Sequence, residues 1–96
     1  MRVRPKKLKV LGAVYDVTFK KGPIDTDYAG TCDISKKKID VSLDYDVEAT
    51  LLHELIHAVI YESALNQCNI SSDAKEIICE QVSRVIVDNF KLSIKK

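Results

Sequence analysis

The only two histidines of this chain stand four positions apart with an acid beside the first, in the run His53-Glu54-Leu55-Ile56-His57. Chance placement of two histidines and a glutamate in that pattern is on the order of one in a thousand for a chain of this length and glutamate content. On a helix, positions i and i+4 differ by about 40°, so both imidazoles leave one face a turn apart and can converge on one tetrahedral ion. Glu54 lies one step round, where a carboxylate can take a proton from a zinc-bound water. The pattern therefore predicts one zinc ion (Zn2+), His53 and His57 as ligands, and Glu54 as general base. The competing reading is a buried apolar helix (Leu51, Leu52, Leu55, Ile56, Val59, Ile60) that carries histidines for packing. It fits badly, because two imidazoles and a carboxylate buried without a cation leave several polar groups to satisfy.

A catalytic zinc needs a third protein ligand and one open position. Glu76 and Glu80 are the candidates, four residues apart beside an apolar stripe of Ile78, Val82, Val85 and Ile86. An antiparallel helix pair would bring that side of the stripe over the histidine face. Glu76 could instead sit on a solvated helical edge or close a capping box with Asp73. Cys32 and Cys79 read as small apolar core residues, and Cys68 as a weak candidate for a soft ligand.

The elements that must hold these residues are legible from period and punctuation. Leu8, Val10, Val14, Val17 and Phe19 are broken once at Leu11-Gly12-Ala13, as in a hairpin, and Gly22-Pro23 ends the second strand. Two further extended runs, Ala29 to Ile34 and Lys38 to Leu43, flank the polar turn Ser35-Lys36-Lys37. From Asp46 the pattern changes: Val47 to Ser63 has no Gly or Pro, and Asp46 and Glu48 suit the positive end of a helix. Residues Ala64 to Ser72 read as a loop, after which Ser72 or Asp73 caps a second helix running to about Phe90. The fold class this predicts is α+β, one domain over residues 1–96, with a small antiparallel sheet of about four strands packed on two helices.

With 96 residues, 46% of them hydrophobic and 30% charged, and a net charge of +1, the composition excludes a disordered or fibrous chain and a second domain. No apolar run approaches the roughly 20 residues that span a bilayer, and the N-terminus lacks the continuous apolar stretch of a signal peptide. Three cysteines without C-x-x-C spacing indicate no disulfide framework, so a cytoplasmic location and no membrane partner are expected. The charge is unevenly spread: residues 1–38 hold ten Lys/Arg against four Asp/Glu, and residues 39–96 five against ten. Nucleic acid is nonetheless an unlikely partner, since the lysines fall on turns and strand faces with no aromatic motif for stacking bases. The sequence does not specify an oligomeric state.

Taken with its spacing, the motif resembles the gluzincin metallopeptidases, whose third zinc ligand is a Glu on a helix about 19 or 20 positions after the second histidine. Glu76 stands 19 positions after His57, so the resemblance implies Glu76 as ligand and Glu80 as the acid one turn on that orients a ligating histidine. More narrowly, the chain is similar to the small phage- and mobile-element-encoded peptidases of the ImmA/IrrE-like type, a minigluzincin form. The likeness runs from the opening hairpin with Tyr15 through Gly30, Asp33 and Ile39 to Val41, then Thr50 to Ala58, and finally Glu76 to Asn89. It implies a zinc peptidase acting on a specific intracellular protein or peptide, such as a phage or mobile-element regulator. Larger gluzincins place a Tyr or His to stabilise the developing oxyanion; with no histidine left, Tyr61, Tyr28, Tyr45 and Arg84 are the candidates here. The strand Ala29 to Ile34 is a candidate edge for an extended peptide. A reading from another class stands beside this one: a zinc-stabilised protein-interaction module with little or no catalytic activity, in which the metal stabilises a small fold.

Overall fold

The structure, a computed structural model, describes residues 4–24, 28–63 and 68–90. Its elements are β1 (Lys7–Val10), β2 (Ala13–Lys20), β3 (Gly30–Asp33), β4 (Lys38–Ser42), α1 (Val47–Glu62) and α2 (Ser72–Asn89). These give the expected α+β class with four strands and two helices. Of the loop expected over residues 64–72, residues 64–67 lie outside the described ones.

Each boundary has a local cause. Leu11 and Gly12 both take positive φ, 51° and 92°, the signature of a type I′ turn, which joins β1 to β2 in a two-residue hairpin with Val10 opposite Ala13. Asp33 organises the next turn, its Oδ1 accepting from the Ser35 hydroxyl and the Lys36 amide, with Lys37 at φ 54° closing it. Asp46 caps α1 by accepting from the Ala49 amide. The cap of α2 is Ser71, which accepts from the Ala74 amide, and not Ser72 or Asp73 as expected. Those two residues already lie within the first turn, where the charge of Asp73 still favours the helix N-terminus.

The strand order is β1-β2-β4-β3. β1·β2 and β3·β4 are antiparallel, but the central pair β2·β4 is parallel, with Val17 opposite Ile39 and Phe19 opposite Val41, so the sheet is mixed rather than antiparallel throughout. Burial explains the order. β4 carries Ile39, Val41 and Ser42 fully out of solvent, whereas no residue of β3 is fully buried, so the more apolar strand takes the centre and β3 the edge.

The core joins Val10, Tyr15, Val17, Ile39 and Val41 of the sheet to Val47, Leu51 and Ala58 at the start of and along α1. Thus α1 lies on the sheet, and α2 packs against α1. The apolar stripe expected to seat α2 faces inward only in part: Ile78 and Ile86 are half-buried, Val82 and Val85 are 43% and 59% exposed, and the buried residues of α2 are Cys79 and Ser83. Small side chains there let the second helix lie against the first.

Candidate metal centre

His53 and His57 leave α1 on the side facing α2, one turn apart, with ring centroids 5.1 Å from each other. Both are largely withdrawn from solvent, at 18% and 24% side-chain exposure. Glu76 reaches both from α2: its Oε1 lies 2.8 Å from Nε2 of His57 and its Oε2 3.2 Å from Nε2 of His53. Glu80, one turn further along, places Oε2 3.3 Å from Nδ1 of His53. The antiparallel crossing of the two helices thus brings together all four residues that spacing singled out on them. The capping box between Asp73 and Glu76 does not form, because Ser71 caps the helix and the Glu76 carboxylate is turned to the histidines.

Cys79, read from sequence as core, is indeed fully buried, yet it also belongs to the centre. Donor atoms of His53, His57 and Cys79 all lie within 4.8 Å of one another, a group able to hold a metal ion. Burial pushes the thiol up to about 12, with the nearby charges of Glu76 and Glu54 adding to the shift. A signal for it was present, since residue 79 is one helical turn from Glu76 and shares its flank of α2. Cys68 is exposed and lies outside this group.

The donors suit zinc. Imidazole nitrogen, carboxylate oxygen and thiolate sulfur are its usual ligands, and donors sharing a tetrahedral ion at roughly 2.0–2.2 Å stand about 3.3–3.5 Å apart. The 3.2 Å separation between Glu76 and His53 is near that spacing, whereas the 2.8 Å separation from His57 is shorter, a direct contact between the two side chains.

Glu54 lies against the start of β3 and lines the same hollow as both histidines and Glu76. Burial raises its carboxyl to about 7; His53 opposes the shift and the Glu76 charge adds to it. Its depth depends on Gly30, the first residue of the edge strand. A Cβ built on Gly30 would stand 2.6 Å from Cγ2 of Thr50, 3.0 Å from the Asp40 carbonyl oxygen and 3.2 Å from Cγ of Glu54. Only glycine lets β3 and α1 approach this closely.

Two connected hollows open over these residues. The larger, about 550 Å³, extends between Cys32 and Ile34 of the sheet side and Ile60, Tyr61 and Glu76 of the helices. The smaller, about 390 Å³, extends toward Tyr45, Thr50, Glu80 and Arg84. Tyr28, Gly30, His53 and Glu54 line both.

Tyr61, on the rim of the larger hollow, has the Lys37 ammonium 5.0 Å from its ring centre. The same ammonium pairs with Glu62, which also accepts the Tyr15 hydroxyl at 2.7 Å. That half-buried cluster ties the end of α1 to the sheet.

No helix among the described residues is long and apolar enough to cross a membrane. No protein-family model matches the chain, and comparisons with curated proteins and with solved structures find no match either.

Proposed function

We propose that this chain is a zinc-dependent metallopeptidase of gluzincin type, hydrolysing a bond in a protein or peptide substrate. One observation carries the reading: Nε2 of both motif histidines faces a single carboxylate, Glu76, while the other acid of the motif, Glu54, lines the cleft beside them with its carboxyl raised to about 7. His53, His57 and Glu76 would hold the ion, with Glu80 keeping the proton of His53 on Nδ1. Bound zinc supplies Lewis acidity, which polarises a carbonyl and makes water a stronger acid. Glu54 accepts a proton from water as the water oxygen bonds to the scissile carbonyl carbon. The same carboxyl returns a proton to the amide nitrogen as the carbon–nitrogen bond breaks, leaving one new carboxylate and one new amine. β3 is an edge strand that lines this cleft, so its free backbone groups suit an extended substrate. The resemblance implies that the substrate is a regulatory protein of the cytoplasm, of phage or mobile-element kind.

A second reading is favoured by Cys79, because its thiolate added to His53, His57 and Glu76 would give an ion four protein ligands and no open position, as in closed, structural zinc sites. In that case the centre stabilises an interaction module and cleaves nothing. Glu54→Gln separates the two. The peptidase reading expects zinc at wild-type stoichiometry with cleavage reduced about 100- to 10,000-fold, since Gln keeps the shape and loses the basicity. Partner binding and biological output that survive Glu54→Gln but are lost with the zinc in His53→Ala would overturn it in favour of the module.

A further inference from the structure

Hydrolysis of a peptide bond needs a hydrogen-bond donor at the carbonyl oxygen as that oxygen gains charge. Several side chains along the cleft carry a donor: Thr31, Tyr61 and Lys75 line only the larger hollow, Tyr45, Thr50 and Arg84 only the smaller one, and Tyr28 lines both. The ring of Tyr61 is already engaged by the Lys37 ammonium. Besides Tyr28, the residues that line both hollows include His53, Glu54 and Gly30. The junction of the two hollows is therefore made of a candidate ligand, the candidate base, the close-approach glycine and this tyrosine.

The backbone fixes Tyr28 at that point. It is joined to Ile24 by a two-way β-bridge, with N–O distances of 2.7 and 3.1 Å, and stands two residues before Gly30 opens the edge strand. Its side chain is 61% exposed, and no hydrogen bond is formed by its hydroxyl among the described residues. A phenol that is anchored by its main chain and lines the cleft can give its proton to a ligand oxygen.

Resting on the peptidase reading above, we propose that Tyr28 donates the hydrogen bond to the scissile carbonyl oxygen as it becomes an oxyanion. A substrate crossing the junction would present its carbonyl between Glu54 and this hydroxyl. Tyr28 is then a catalytic residue, whereas Tyr45, Tyr61 and Arg84 contact the substrate to either side of the reacting bond.

The test is Tyr28→Phe in the full chain, which removes the hydroxyl and keeps the exposed ring. A pool of internally quenched peptides randomised at the centre serves as substrate, and N-phosphoryl-leucyl-alanine, whose tetrahedral phosphorus carries the oxygens of the transition state, serves as ligand. Expected are full zinc occupancy and an unchanged melting temperature, a fall in kcat of about 100-fold with little change in KM, and a comparable loss of affinity for the phosphoryl dipeptide. Tyr45→Phe and Tyr61→Phe should each lose less in kcat than Tyr28→Phe. A Tyr28→Phe protein that cleaves within about threefold of wild type would overturn the proposal. So would lost cleavage with unchanged affinity for the phosphoryl dipeptide, since the hydroxyl would then not meet the oxyanion. If wild type and Glu54→Gln are equally inactive on the pool and on every partner tested, the peptidase reading fails first, and the role of Tyr28 falls with it.

Discussion

Glu80 and His53 are joined across the helix pair, with Oε2 of the acid 3.3 Å from Nδ1 of the ring, while Nε2 of the same ring faces Glu76 at 3.2 Å. With a cation on Nε2, an acceptor this close to Nδ1 would hold the ring proton on that side. Glu76 faces Nε2 of both histidines and so stands where a ligand would, whereas Glu80 touches only the far side of one. Glu80→Gln should therefore weaken zinc binding by about 10- to 100-fold, and Glu76→Gln by more. Competition against a chromophoric chelator measures both, and a larger loss at Glu80 would exchange their roles.

Gly30 is expected to be intolerant of the smallest side chain. Alanine there meets the stiff β-branched Thr50 at 2.6 Å and the Asp40 carbonyl at 3.0 Å, and a backbone oxygen in the sheet has no room to yield. Overpacking of this kind costs about 1–3 kcal/mol. Gly30→Ala should lower the melting temperature, and adding Thr50→Ser, which deletes the nearest methyl, should restore part of it. Strictly additive effects of the two substitutions in thermal unfolding would show that the contact is not made.

Glu54 should leave a pH signature in the metal-free protein. Its carboxyl is raised from about 4.5 to about 7 by burial, so the folded state binds its proton more tightly than the unfolded chain does. Stability from this group is then intact below about pH 4.5, declines as pH rises between about 4.5 and 7, and is lowest above that. Glu54→Gln cannot ionise. The variant should match wild type near pH 4 and exceed it near pH 8, by a margin on the order of 1–3 kcal/mol. Chemical denaturation in chelator across that range reads the difference, and a gap that narrows with rising pH would contradict the burial of this carboxylate.

Much of the centre could be read from the chain because the relevant geometry is local. His53 and His57 share a face by helical period alone, Asp46 caps its own helix three residues away, and Leu11-Gly12 closes its hairpin with two left-handed residues. What depends on which element meets which was not available in that way. Period assigns faces to an element but names no neighbour, so the apolar positions Val82 and Val85 suggested an inward stripe, whereas Cys79 and Ser83 face α1. The parallel pairing of β2 with β4 likewise follows from competition between two strands for the centre of the sheet, a comparison of burial across the whole layer. The approach of Glu76 to both histidines, the thiol of Cys79 behind them, the tight seat of Glu54 on Gly30 and the position of Tyr28 over the junction all depend on contacts between residues far apart in the chain. Such contacts are set by how closely packed surfaces fit, to within a methyl group, and spacing along one strand or helix carries no information about that fit.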